Sequence, residues 1–183
     1  MGRPSSIDRN AVLNVVESLV REQGTAGVTI GAVARAAGIS KGGVQSAFGT
    51  KEQLLQAVFD RWTADYEKGI TQIAGRAPSV REAYAAHVEI TRATGGGHVD
   101  RAAGMMATTL SSPKIQAQVA DWYMARLGLA DFSSESGRQA RLAFIAAEGA
   151  YLLRAFGVLN VSDGEWALLF EDIEKLLPEV DRG

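Results

Sequence analysis

Two histidines and no cysteine bound the chemistry this chain can do. His87 and His98 stand 11 residues apart, and neither the HxxxH nor the HExxH spacing of a helical metal site occurs. Without cysteine there are no disulfides and no thiolate metal ligands. Gly95-Gly96-Gly97-His98 is a glycine run with no strand before it, and Gly49-Thr50-Lys51 has the wrong order for a phosphate loop. No nucleophile-elbow or dinucleotide pattern is present. The expectation is a protein that binds rather than reacts, with no catalytic residue, no metal and no cofactor.

The residues arranged for binding lie between Thr29 and Lys51. The stretch Thr29-Ile-Gly-Ala-Val-Ala-Arg-Ala-Ala-Gly-Ile-Ser-Lys-Gly-Gly-Val-Gln-Ser-Ala-Phe48 reads as two short helices separated by a glycine turn, the pattern of a helix-turn-helix whose second helix enters the major groove. Ala34 is small where two helices must cross closely. Gly38 can take the left-handed conformation that the turn needs. Ile30, Val33, Ile39 and Val44 supply the apolar faces that pack the pair onto the preceding helix. Ser40 caps the second helix and leaves its N-terminus outward, where backbone N–H groups and the helix dipole favour a phosphate.

From about Asp8 to Leu55 the chain resembles the DNA-binding domain of the TetR family. The likeness includes the Ala-Ala-Gly-Ile-Ser-Lys-Gly turn and the run Phe48-Gly-Thr-Lys51-Glu-Gln-Leu-Leu55 that enters the fourth helix. The resemblance implies that Thr29 and Lys51 hold phosphates. It also implies that Lys41, Gly42, Gly43, Gln45 and Ser46 face the groove and that Phe48 is core. Gln45 stands where the family usually has Tyr, and Ala47 where it has an aromatic residue or His, so two of the family's common contacts are absent. Gln pairs bidentately with adenine N6 and N7, and Gln45 is expected to read a base edge. Two glycines weaken a helix by about 1 kcal/mol each; close approach of the backbone to DNA is the expected reason for Gly42 and Gly43. Arg3, with Gly2 and Pro4, reads either as a basic arm for the minor groove or as a disordered tail.

The elements that must position these residues are helical throughout. Val12, Val15, Val16, Leu19 and Val20 form the stripe of a first helix ended by Gly24. Thr50 with Gln53, Ser79 with Glu82 and Ser162 with Glu165 are three capping-box pairs. The first opens a long helix with Leu55, Val58, Phe59, Trp62, Tyr66, Ile70 and Ile73 on one face. The second opens a helix to about Ala93, and the third opens the last helix, to Leu177. Between these lie a shorter helix around Arg101 to Leu110, one starting at Pro113, and one over Arg138 to Leu159. No strand pattern, repeat or low-complexity tract occurs. The fold class is all-α with about nine helices: a three-helix DNA-binding domain over 1–50, then a helical effector-binding and dimerisation domain over 51–183.

In the second domain the last two helices are the candidate dimer elements. Leu142, Ile145, Ala146, Gly149, Leu152, Leu153 and Phe156 give one a broad apolar face, and Trp166, Leu169, Phe170, Ile173, Leu176 and Leu177 give the other a continuous one. A helix apolar on more than one side is buried on more than one side, and the resemblance adds that TetR-like proteins dimerise through such a pair as a four-helix bundle. The interface is expected at Gly149, Leu152, Phe156, Trp166, Phe170 and Ile173. Candidate ligand contacts are Trp62, Tyr66, His87, Met105, Met106, Trp122, Tyr123, Phe144, Glu148 and Tyr151, aromatic and Met residues that serve equally as core. Glu148 lies among apolar neighbours and reads two ways: it recognises a polar or cationic effector, or it pairs with Arg154 or a partner chain.

Composition agrees with this division. Residues 1–61 carry seven Lys and Arg against five Asp and Glu, while the whole chain has net charge −2. A mildly basic front and an acidic back suit a protein of which one end meets phosphate. No apolar run approaches a membrane span and the start is not a signal peptide, so a cytoplasmic protein with no membrane partner is expected. The reading is a one-component regulator, a homodimer that represses from a palindromic double-stranded DNA operator. An unidentified small-molecule effector releases it.

Overall fold

A computed structural model of the chain describes residues 7–94, 104, 106, 108, 109 and 112–178. Among them are eight helices: α1 Arg9–Gly27, α2 Ile30–Ala36, α3 Lys41–Phe48, α4 Lys51–Ala74, α5 Val80–Thr94, α6 Pro113–Leu127, α7 Glu135–Ala155 and α8 Asp163–Glu174. Residues 104, 106, 108 and 109 are also helical. They fall in the stretch around Arg101 to Leu110 where a ninth helix was expected, the rest of which lies outside the described residues, as do Arg3 and Met105. The fold is all-α, and no strand occurs among the described residues.

Helix ends follow local hydrogen bonding. Asp8, Thr29, Ser40, Ser134 and Ser162 each cap a helix by accepting from a backbone N–H three residues on. All three capping boxes form. Thr50 and Gln53 exchange bonds of 2.8 and 3.3 Å, Ser79 and Glu82 do the same, and so do Ser162 and Glu165. Three boundaries differ from the periodicity. The cap at Ser134 starts α7 at Glu135, three residues earlier than Arg138, and the helix stops at Ala155 rather than Leu159. The last helix ends at Glu174, although Leu177 remains buried. α1 is interrupted at Gly24, with φ +64°, where its apolar stripe ends.

The chain divides into two compact units. One holds residues up to Thr63 together with Gly104–Gln116. Its core is Val12, Leu13, Val16, Leu19 and Val20 of α1, Val33 and Ala34 of α2, Val44 and Phe48 of α3, and Leu54, Leu55, Val58, Phe59 and Trp62 of α4. Here α1 packs on α2 and α2 on α3. The other unit holds Ala64–Ala103 and Ala117–Gly183. In it α5 packs on α7 and α8, and α7 on α8, around Tyr84, Val88, Phe144, Ala147, Trp166 and Phe170. α4 crosses the division, contributing residues to both units. Ile73, expected on the apolar face of α4, is about half exposed because the helix is in its last turn there.

Candidate nucleic-acid interface and ligand cavity

The helix-turn-helix sets one face of α3 outward. Val44 and Phe48 are buried, while Lys41, Gly42, Gln45 and Ser46 are exposed on the opposite side, the i, i+1, i+4, i+5 pattern of one helical face. Gly38, between α2 and α3, has φ +66°, the left-handed turn for which glycine is suited. Thr29 and Ser40 are exposed caps, bonded to Ala32 N and Gly43 N at 3.0 Å. Their hydroxyl oxygens accept these bonds and each O–H can still donate, while the other first-turn N–H groups have no partner within the helix. Lys51 begins α4 and is half-buried.

The two glycines of α3 differ. A Cβ at Gly42 would meet nothing nearer than Ser40 Oγ at 4.0 Å, whereas one at Gly43 would stand 3.2 Å from both Ile7 Cδ1 and Ser40 Oγ. Gly43, also expected to face the groove, is half-buried against Ile7, and a side chain there would push its neighbours by a few tenths of an ångström. Gly42 alone presents bare backbone outward.

Sequence reasoning missed two residues of this unit. Arg35, in the last turn of α2 and exposed, joins Thr29, Gly31, Ala32, Ile39 and Lys41 around a shallow concavity of about 370 Å³ with no acidic residue in its wall. Lys41 lies across the start of α2, its Cε 3.2 Å from where a Cβ of Gly31 would be. Two cations and two helix starts thus converge on one open hollow, an arrangement suited to phosphate. Arg9 donates to the carbonyl of Ala47 and lies over the ring of Phe48, 4.1 Å from its centroid, tying α3 to α1. Its position before the first apolar stripe gave no signal of that role.

In the second unit a cavity of about 240 Å³ is lined by Tyr66, Glu67, Ile70 and Thr71 of α4, the turn Gly75 to Pro78, Tyr84 and His87 of α5, Arg126 and Leu129, and Phe144 of α7. Tyr66, His87 and Phe144 were expected there. Trp122 borders it through Tyr66, ring centroids 5.0 Å apart. Trp62 belongs elsewhere: it is buried in the first unit, its indole N–H donating to Glu17. Met106 is half-buried in the segment that joins that same unit. Tyr151 is half-buried on α7 and not in the cavity wall.

Behind the wall runs a buried polar chain. The Tyr66 hydroxyl meets His87 Nδ1, the imidazole stacks on Phe144 at 4.1 Å, and Nε2 stands 3.3 Å from Glu148 Oε1. That last contact is close enough for electrostatics but not aligned as a hydrogen bond. Tyr123 donates to Glu148 Oε2 at 2.5 Å. Burial pushes the Tyr66 phenol up, so it keeps its proton. Its O–H then donates to Nδ1 and leaves the imidazole proton on Nε2, facing Glu148. Burial drives His87 down to about 3. Desolvation raises Glu148, opposed by the bond from Tyr123 and the charge of Arg126. Glu148 is not in the cavity wall, and the expected pairing with Arg154 is corrected, since Arg154 pairs instead with Asp163 at 2.9 Å. The i+3 and i+4 positions around Glu148 gave no hint that His87 and Tyr123, on other helices, would meet it.

The last two helices divide their apolar residues unequally. Trp166, Phe170 and Ile173 are 4%, 0% and 4% exposed within one subunit. The Trp166 indole donates to Arg92 O at 3.0 Å and carries Arg154 over its ring. These three residues are core, which corrects their assignment to an interface, since a side chain fully covered by its own subunit has no surface to offer. Leu142, Ile145 and Leu153 of α7, and Phe156 that caps its end, are about half exposed. Gly149 and Leu152 are half-buried among them, and a Cβ at Gly149 would meet nothing within 4 Å.

Residues 13–58 match the model of bacterial regulatory proteins of the tetR family, and residues 81–178 match that of the tetracyclin repressor-like C-terminal domain. No curated protein matches the chain in sequence. Among solved structures, the chain is similar to the transcriptional regulator SCO7518 from Streptomyces coelicolor A3(2), at 21% identity and TM-score 0.67, covering 93% of this chain and 98% of that one. It is also similar to SmeT, repressor of the Stenotrophomonas maltophilia multidrug efflux pump SmeDEF, at 16% identity and TM-score 0.67, covering 91% and 88%. A third is the multidrug-binding protein EbrR in complex with malachite green, at 18% identity and TM-score 0.67, covering 94% and 99%. At these identities the structural likeness concerns the fold. The family models, one on the helix-turn-helix and one on more than half of the chain, carry the assignment: the chain belongs to the TetR family of bacterial transcriptional regulators.

Proposed function

We propose that the protein is a dimeric repressor that holds a palindromic operator and releases it when a small molecule enters the cavity beside Tyr66 and His87. The observation that carries DNA reading is the exposed face Lys41–Gly42–Gln45–Ser46, flanked by Thr29, Ser40, Arg35 and Lys51. Lys41, Arg35 and the helix starts hold phosphates, Gly42 admits the backbone, and Gln45 and Ser46 reach base edges. In functional terms residues 1–50 read DNA, and 51–183 sense and dimerise.

A single helix-turn-helix reads half a site, and a two-fold dimer presents the second about one helical turn away. The exposed apolar strip of Leu142, Ile145, Leu153 and Phe156, with open space at Gly149, supports α7 as the self-complementary surface. α4 supports the coupling. It begins at Lys51, on the DNA-reading side, and four of its later residues line the cavity. A ligand that prefers one position of α4 shifts the dimer between binding and released states, by typically 1–3 kcal/mol of coupling. SmeT, a repressor, and EbrR, which holds malachite green, support this reading as relatives of the same fold.

Selection of bound duplexes from a random pool tests it. Recovery of an inverted repeat supports dimeric, sequence-specific binding; recovery of no common sequence contradicts it.

A further inference from the structure

The cavity of the second unit has a carboxylate site at one end, and a carboxylate of the chain itself occupies it. Glu67 Oε1 receives the Arg126 guanidinium and the indole N–H of Trp122, the latter at 3.3 Å. Arg126 does not depend on Glu67 for its position. Its Nη1 donates to Trp122 O at 3.2 Å, and its guanidinium lies 3.5 Å from the Trp122 ring centroid and 5.3 Å from that of Tyr66. The donor pair is therefore preorganised, whereas its occupant is not. The Glu67 side chain is 49% exposed against 19% for Arg126, so water competes for the Glu67 carboxylate and the pair holds it weakly.

Beyond this polar end the wall is aromatic. Tyr84 and Phe144 pack edge to face at 5.8 Å, and Tyr66 and His87 at 5.9 Å. The charged residues in the wall are Arg76, Arg126 and Glu67, so the lining carries one net positive charge. His87 is neutral, and Glu148 stands behind it. The volume falls below the roughly 300–1,000 Å³ of sites for drug-sized molecules.

We infer that this site takes a small monoanionic aromatic carboxylate, whose carboxylate displaces Glu67 from Arg126 and Trp122 and whose ring lies among Tyr66, Tyr84 and Phe144. The inference rests on the reading of this cavity as the effector site and names the effector's class. A ligand carboxylate can take two parallel N–H···O bonds from the guanidinium, and Glu67 swings into water without leaving a buried charge behind. A cationic ligand would instead meet Arg126 with no displaceable cation to exchange.

Calorimetric titration of the full chain with benzoate and cinnamate tests this, with benzamide and benzylamine as neutral and cationic counterparts. One of the two carboxylates is expected to bind saturably, one per subunit, about tenfold or more tighter than either counterpart. Glu67→Gln, which keeps the shape and removes the competing charge, should tighten carboxylate binding, and Arg126→Gln should abolish it. Equal binding of benzamide or benzylamine overturns the inference. So does weaker carboxylate binding by Glu67→Gln, which touches only an exposed side chain, or absence of saturable binding by both carboxylates. Operator affinity measured in the same samples separates this inference from the effector reading. Carboxylate binding that leaves operator affinity unchanged upholds the site and contradicts the effector role. Release of the operator by benzylamine, without carboxylate binding, does the reverse.

Discussion

Arg9 lies over the ring of Phe48, 4.1 Å from its centroid, and donates to the carbonyl of the residue before it. One side chain of α1 thus closes the C-terminal end of α3, a helix of eight residues that contains two glycines. Each glycine costs such a helix about 1 kcal/mol, so α3 depends on tertiary contacts to stay formed. Replacing Arg9 with Ala removes a cation–π contact and a hydrogen bond, worth about 1–2 kcal/mol together. Chemical denaturation should show that loss, and operator affinity should fall although no base-reading residue has changed. Unchanged stability would mean that α3 is held by Val44 and Phe48 alone.

The glycine pair yields a contrast. Gly42→Ala should stabilise the free protein by up to about 1 kcal/mol, since the new methyl group meets open space. It should also weaken operator binding by intruding between backbone and DNA. Gly43→Ala should gain less or destabilise, because the methyl group presses on Ile7 and Ser40. Melting curves with parallel binding isotherms distinguish the two.

Gln45 is expected to carry sequence discrimination. Gln45→Ala should cost about 1–3 kcal/mol on the selected operator and relax preference at one position of each half-site. Lys41→Ala should instead weaken all sequences alike and reduce the salt slope by about one. Equal loss on cognate and scrambled duplexes for Gln45→Ala would remove it from base reading.

His87 and Glu148 give the stability of the buried chain opposite dependences on pH. Unfolded, His87 takes up a proton below about 6.5, but folded it does so only near 3; stability therefore falls as pH drops from 6.5 toward 3. Glu148 is raised above its ordinary 4.5 by burial. The unfolded state loses that proton first, and stability declines as pH rises above 4.5. His87→Gln should flatten the acid limb, and Glu148→Gln should flatten the decline on the other side while keeping an acceptor for Tyr123. Melting temperature against pH for the three proteins checks both signs.

The apolar strip of α7 gives a test of assembly that avoids the core. Ile145→Asp should give folded monomers in sedimentation, because its side chain is 52% exposed in one subunit. Trp166→Ala should unfold the subunit itself, with a loss of about 3–5 kcal/mol. A dimeric Ile145→Asp would place the partner surface elsewhere.

How much of this was legible in the residues depends on whether the information is local. The capping pairs Thr50 with Gln53, Ser79 with Glu82 and Ser162 with Glu165 lie within one turn of chain, and all formed as read. So did the left-handed turn at Gly38, and Lys41, Gly42, Gln45 and Ser46 are exposed on α3. What failed was the facing of long apolar helices. Trp166, Phe170 and Ile173 form a stripe whichever surface they cover, and only packing against α5 and α7 reveals that their own subunit covers them. The charged end of the cavity was not legible for the same reason: Arg126 and Glu67 look like ordinary surface charges until α4 and α6 bring them together.

Salt-dependent binding of the wild-type chain to its selected inverted repeat and to a scrambled duplex tests the central claim most directly. The repeat should bind about a thousandfold or more tighter at moderate salt. Log affinity for it should fall linearly with log salt, with a slope reporting the phosphates held by Arg35, Lys41, Lys51 and their two-fold mates. Equal affinity for the two duplexes, or no binding at low salt, would contradict sequence-specific operator recognition by α3.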